Sequence, residues 1–338
     1  MSVAPLTPSA TAARIWKVLR GFYRDELSTA IDLDVVRNLL NEPAFGKGAR
    51  LNAPMAFDAA NFEGMLTNNP KAPDEWGIFY KPRPKCPERE RFTIAHEMGH
   101  FLLHRERQRQ FQCDKSGATS GQDDGRNIER EANAFASQLL MPRDDLDRFL
   151  GDQRKINLRL LSDIAGKFKV SFEAVCLRFI EITNQRAVMI RWDNGFLDYE
   201  RRSASARKTR AGFKKPNTTQ EPVAGSVAAD SSVAQCFDGE PQSAALWCEF
   251  ERHYMKLREF KHTYADRDRV ITLLLLEPQE PRFGDRTHED EHEEDTTANA
   301  FAPAANSRFT DSSTRICAAS TRSPLTPAAF RYGNTRDA

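Results

Sequence analysis

Residues 91–104, "RFTIAHEMGHFLLH", constrain the fold more tightly than any other stretch of the 338-residue chain. Phe92, Met98, Leu102 and Leu103 recur as they do on a buried helix. His96, Glu97 and His100 interrupt that pattern with groups that are costly to bury without partners. Positions i and i+4 of a helix stack on one face, so His96 and His100 can turn both imidazoles towards one ion. Glu97 lies about 100° round the helix from His96, close enough to touch a water on that ion without being a ligand. Ala95 and Gly99 are small and admit a second element. The fold therefore has to press another polar group against this helix.

A tetrahedral catalytic zinc takes three protein ligands and keeps one position open. The stretch "IEREANAFASQLL", 128–140, offers the missing one. Glu129 and Asn133 stand four apart on a face shared with Ala132 and Ala136. That face allows a ligand carboxylate, with an amide one turn on to hold a histidine's other ring nitrogen. Glu131 is the alternative carboxylate, but it points about 200° away from Glu129 on an ideal helix, so both cannot ligate. The small residues favour Glu129. A second literal match, "HEDEH" at 288–292, has no apolar flank and no amphipathic helix through it. Nothing there excludes water or fixes geometry, and it is not read as a site.

The wider composition bounds the class. A net charge of +1 favours neither nucleic acid nor a membrane as partner. The six cysteines are scattered without a CxxC pair, which suits a reducing compartment. No secretory leader is recognisable, and the longest apolar run, "VITLLLL", falls far short of the ~20 residues that span a bilayer. A cytoplasmic protein is expected.

Along the chain, 1–55 reads as an N-terminal helical segment, with Ile15, Val18, Leu19, Phe22 and Tyr23 at helical spacing. Residues 56–183 read as the metal domain with a helical extension. Its "FEGML" and "WGIFY" look like two strands parted by a long turn, "TNNPKAPDE". A polar loop is expected over 112–127 and three short helices over 144–183. Residues 184–283 read as a small α/β or β-rich unit, opened by a hairpin turning at Asp193-Asn194-Gly195. Residues 284–338 carry few large aliphatics and are expected to be a disordered tail. The fold class is α+β: a zincin-like domain, its small sheet packed on the two helices.

"RFTIAHEMGHFLLH" followed by "IEREANAFASQLLMP" resembles the ImmA/IrrE family of zinc metallo-endopeptidases, with "WGIFY" before and "VSFEAVCLRF" after. The resemblance implies zinc held by His96, His100 and a glutamate of the second helix, with Glu97 as general base. It also implies a bacterial regulator whose protein substrate is an XRE-like helix-turn-helix repressor. Many members carry an N-terminal helix-turn-helix of their own; residues 10–42 are too short for one. The rival reading is a non-catalytic, metal-stabilised regulator or antitoxin-like binding protein. Glu97 separates the two, because a structural zinc site has no use for a base beside its ligands.

Other residues carry weaker signals. His104 continues the i+4 series and is read as a partner of the helix C-terminus rather than a ligand. Cys113 is read as a loop cysteine, and His253 and His262 as surface or core residues. Tyr80 is read as core, with an oxyanion role as the minor alternative, and "WGIFY" as a possible edge on which a peptide docks. Residues 157–180 have helix-turn-helix spacing, but only Arg178 suits DNA, so they are read as a packing unit and direct nucleic-acid binding is not expected. The basic run 201–215 is read as a solvated, mobile loop.

Overall fold

Ala12, Ile15, Trp16 and Leu19 line one face of the first helix, α1 (Pro8–Tyr23), and that face is buried. Phe22 and Tyr23, read from spacing as part of the same stripe, are exposed at its last turn. The computed structural model describes residues 7–23, 30–114, 123–151, 156–213, 220–265 and 268–280. The expected tail, with "HEDEH" in it, lies outside the described residues. After α1 come α2 (Leu33–Leu40), whose first turn is capped by Asp32 accepting from the Asp34 amide, and the short α3 (Pro43–Gly46).

The first sheet contains β1 (Arg50–Leu51), β2 (Met55–Ala56), β3 (Phe62–Asn69), β4 (Ala72–Tyr80) and β5 (Gln110–Asp114). β3 and β4 form an antiparallel hairpin turning at 70–71. The long turn expected over 67–75 is therefore mostly ladder: backbone pairing continues past the core even where the side chains are polar. β1 and β2 run parallel to β4 on its other side, and β5 runs antiparallel to β3. Two expectations are corrected here. "WGIFY" lies in an interior strand with both ladders occupied, so it cannot receive a peptide by strand addition. Residues 112–114, expected in a loop, complete β5 instead.

Pro87 at the first helical position and Glu88 and Glu90 in the first turn start α4 (Pro87–Leu103), as residue types there should. α4 lies on β3 and β4, and α5 (Asp123–Leu140) lies on α4. The two helices approach closely at Gly99, where an added Cβ would sit 3.2 Å from the Ala132 Cα and 3.0 Å from the Phe135 ring. α1 covers the far side of α5, with the Trp16 indole donating to the Leu139 carbonyl at 2.8 Å.

α6 (Arg143–Gly151), α7 (Leu158–Phe168) and α8 (Phe172–Ile182) follow, the last two capped by Asn157 and Ser171. In α8, Ala174, Val175, Cys176, Arg178, Phe179, Ile180 and Ile182 are all buried, which leaves no face to enter a DNA groove. Beyond it lies an antiparallel sheet of β6 (Arg186–Asp193), β7 (Phe196–Arg202), β8 (Gln235–Ser243), β9 (Lys256–Thr263) and β10 (Arg269–Leu276). Its order is β7-β6-β10-β9-β8. Asn194 and Gly195, with φ of 51° and 82°, make the β6–β7 turn.

One face of this sheet, including Ala187, Met189, Ile271 and Leu273, joins the core that runs through α8 and the first sheet. The other face packs Val188, Ile190, Trp192 and Leu274 under α9 (Ala204–Lys208) and α10 (Ala244–Trp247). The basic run is thus not a free loop through residue 213. Ala206, Ala211 and Phe213 are buried and anchor it, while Arg202 pairs with Glu200 at 2.7 Å. Among the described residues no helix is long and apolar enough to cross a membrane.

Candidate metal centre

The close α4–α5 crossing sets three electron-rich atoms around one point. His96 Nε2 and His100 Nε2 are 3.0 Å apart. The Glu129 carboxylate lies 3.1 Å from the first and 3.4 Å from the second. Among the described residues these three are the group of His, Cys, Asp and Glu side chains able to hold a metal ion. Four tetrahedral ligands at about 2.0–2.1 Å from a zinc stand roughly 3.3 Å from one another. The spacing fits.

The donor chemistry fits as well. The Asn133 amide oxygen accepts from His96 Nδ1–H at 2.9 Å, which leaves Nε2 with its lone pair turned inward. Two imidazole lone pairs and a carboxylate facing one another in a buried space call for positive charge at their centre. The titration behaviour follows. Burial pulls the His96 pKa down, but the hydrogen bond and charge of Glu129 outweigh it and raise the pKa above its ordinary value. Burial takes the His100 pKa down to about 4. Burial would raise the Glu129 pKa, yet the His100 and His96 imidazoles beside it hold it well below the usual carboxylate range.

Glu97 is fully buried and turns to the first sheet. A Cβ at Gly64 of β3 would lie 2.6 Å from both Glu97 Oε1 and Thr93 Cγ2. Only a residue without a side chain leaves room for that carboxylate. Tyr80 stands opposite Gly64 in register, half-buried at the end of β4. Phe111 of β5 stacks on the His100 ring, centroids 4.6 Å apart at 19°.

Of the residues assigned by spacing, His96 and His100 on α4 and Glu129 on α5 converge, Asn133 bonds His96, and Glu97 is buried with its carboxylate next to Gly64. Glu131 is not among the converging donors; it accepts from His104 Nε2 at 2.8 Å. His104 differs from its reading as a partner of the helix terminus. Its backbone does cap α4, but its buried ring bonds His100 and Glu131. Gly64, Phe111 and the His104–Glu131 contact escaped the sequence reading. A glycine inside the strand-like "FEGML" was the available signal for the first, because such a glycine marks a close approach. The Cys113 side chain lies outside what is described.

No curated protein matches the chain. Residues 56–179, from β2 to α8, match the family model for peptidase M78, the IrrE N-terminal-like domain. This segment, which carries the His-His-Glu cluster, is similar to the ImmA/IrrE metallopeptidases.

Proposed function

We propose that the chain is a zinc-dependent endopeptidase of the HExxH type, built on a zincin-like domain. The observation that carries this reading is the convergence of His96, His100 and Glu129 beside a buried carboxylate that is not one of the converging donors. When bound, zinc lowers the pKa of a coordinated water from about 15.7 towards 7 and polarises the scissile carbonyl. Glu97 accepts the proton as water adds to the peptide carbon and returns it to the departing amine, so the base is restored when the C–N bond breaks. Asn133 holds the His96 ring so that Nε2 faces inward. Gly64 keeps the space in which Glu97 sits, and the packed helices limit water around it.

The substrate is a helix-turn-helix repressor of the XRE-like kind, inactivated by cleavage in a bacterial stress or mobile-element response. Kinship with the ImmA/IrrE family supports that choice. A cytoplasmic setting goes with it, in keeping with cysteines that lack framework spacing. The test is co-incubation of the full chain with an XRE-like helix-turn-helix repressor from the same genome, with fragments read by mass spectrometry. Wild type should cut and Glu97→Gln should not. An intact repressor with zinc-loaded wild type would remove the proposed substrate.

A further inference from the structure

Beyond the three donors, a second line of hydrogen bonds runs outward from the site. His100 Nδ1 lies 3.1 Å from His104 Nδ1, and His104 Nε2 lies 2.8 Å from Glu131 Oε2. Both imidazoles are fully buried, while Glu131 reaches partly exposed surface. The protons along this line follow from the donor inventory. An ionised carboxylate only accepts, so His104 Nε2 carries a hydrogen and gives it to Glu131. A neutral imidazole then has a bare Nδ1, which can only accept. The proton between the two rings must therefore sit on His100 Nδ1, and His100 Nε2 keeps the lone pair that faces His96 and Glu129.

Resting on the metal-centre reading above, we infer that Glu131 and His104 are positioning residues for zinc. They form a carboxylate–imidazole–imidazole line that fixes the tautomer and ring orientation of His100. Asn133 does the same for His96 in one step, through an amide oxygen. His100 is served in two steps because its Nδ1 points along α4 to the next turn, where His104 caps the helix. Glu131 fits this role and Glu129 the ligand role because α5 crosses α4 at Gly99 and Ala132. Glu129 reaches His96 and His100, while Glu131 reaches the next turn at His104. Groups that orient a ligand in this way commonly change metal affinity about 10–100-fold.

The full chain carries the test. Zinc affinity is measured by chelator competition for wild type, His104→Phe, His104→Asn and Glu131→Gln, together with nitrogen-15 imidazole spectra of the zinc-loaded wild type. His104→Phe keeps ring volume but neither hydrogen bond, and should weaken zinc about 10–100-fold. His104→Asn places an acceptor oxygen where Nδ1 was and should recover part of that loss. A role in packing or helix capping alone would not order the variants this way. The spectra should show a proton on His100 Nδ1 and on His104 Nε2. A loss under about threefold in His104→Phe, against the span expected for such groups, or a His104 proton on Nδ1, would overturn the inference. If His104→Phe does not fold, Glu131→Gln and the wild-type spectra decide. Controls separate the two readings: should His96→Ala and Glu129→Gln keep zinc, the metal centre itself is wrong. If they lose it while His104→Phe binds as wild type, only the positioning line fails.

Discussion

Two regions of the described molecule bury polar groups and balance them differently. Around the second sheet, buried charges come with their own opposites. Arg191 of β6 meets Glu173 of α8 at 2.9 Å, and the Tyr199 hydroxyl donates to the same carboxylate at 2.6 Å. Arg186 likewise pairs with the buried Glu251. Between α4 and α5 the groups are all donors of lone pairs, two imidazoles and a carboxylate, and they point at each other. Polar burial that neutralises itself joins parts of a fold. Polar burial that turns several lone pairs to one point suits a cation there.

The largest effect should come from removing a converging donor. His96→Ala or His100→Ala should abolish stoichiometric zinc, read by metal analysis of purified protein, whereas changing His288 and His292 together should leave it in place. Zinc lost only from the latter variant would move the metal site from the first match to the second.

Next, Glu97→Gln should keep zinc and lower peptide cleavage about 10²–10⁴-fold, because an amide cannot take up the proton of water. Unchanged turnover would remove the general base from the mechanism. Gly64→Ala approaches the same carboxylate from the sheet. Its methyl must displace Glu97 or Thr93, and a shift near 1 Å at a catalytic group can cost about 10²-fold. Zinc content should again hold, so a variant that loses metal instead would show that Gly64 supports the helix rather than the base.

The self-balanced region should answer in stability rather than chemistry. Arg191→Met leaves the mostly buried Glu173 of α8 without its cation, and breaking a buried pair costs up to about 3–5 kcal/mol. A urea titration reads the loss, and zinc stoichiometry should not change. Smallest of all is the exposed Lys47–Glu106 pair, with side chains 70% and 75% accessible. Lys47→Ala should change stability by less than about 1 kcal/mol, since solvent screens it. An effect as large as that of Arg191→Met would erase the distinction between buried and surface pairs.

What could be read without the structure was local or periodic. His96, Glu97 and His100 follow from the 3.6-residue turn, which brings i and i+4 to one face whatever surrounds the helix. Glu129 and Asn133 follow from the same period, once Ala132 and Ala136 indicate the face a neighbour can approach. The Asn194-Gly195 turn is equally local, because it depends on the torsions of its own residues. Pairing between distant segments carries no such mark. The polar 67–75 stretch looked like a turn although its backbone continues the ladder, and β5 looked like a loop because its partner, β3, lies some forty residues earlier. "WGIFY" looked available because its neighbours β1 and β2 are too short to carry a pattern.

Helical period in the sequence marked which side chains share a face: His96 with His100 on α4, and Glu129, in preference to Glu131, with Asn133 on α5. Tertiary structure alone decided how that group is held. Gly64 makes room for Glu97 only because β3 passes under α4, and His104 turns from a helix cap into a partner of His100 only because Glu131 arrives from α5. Helical periodicity is a property of a few consecutive residues. A strand's neighbours and the depth of a helix crossing are properties of the packed whole, set by which surfaces exclude water together.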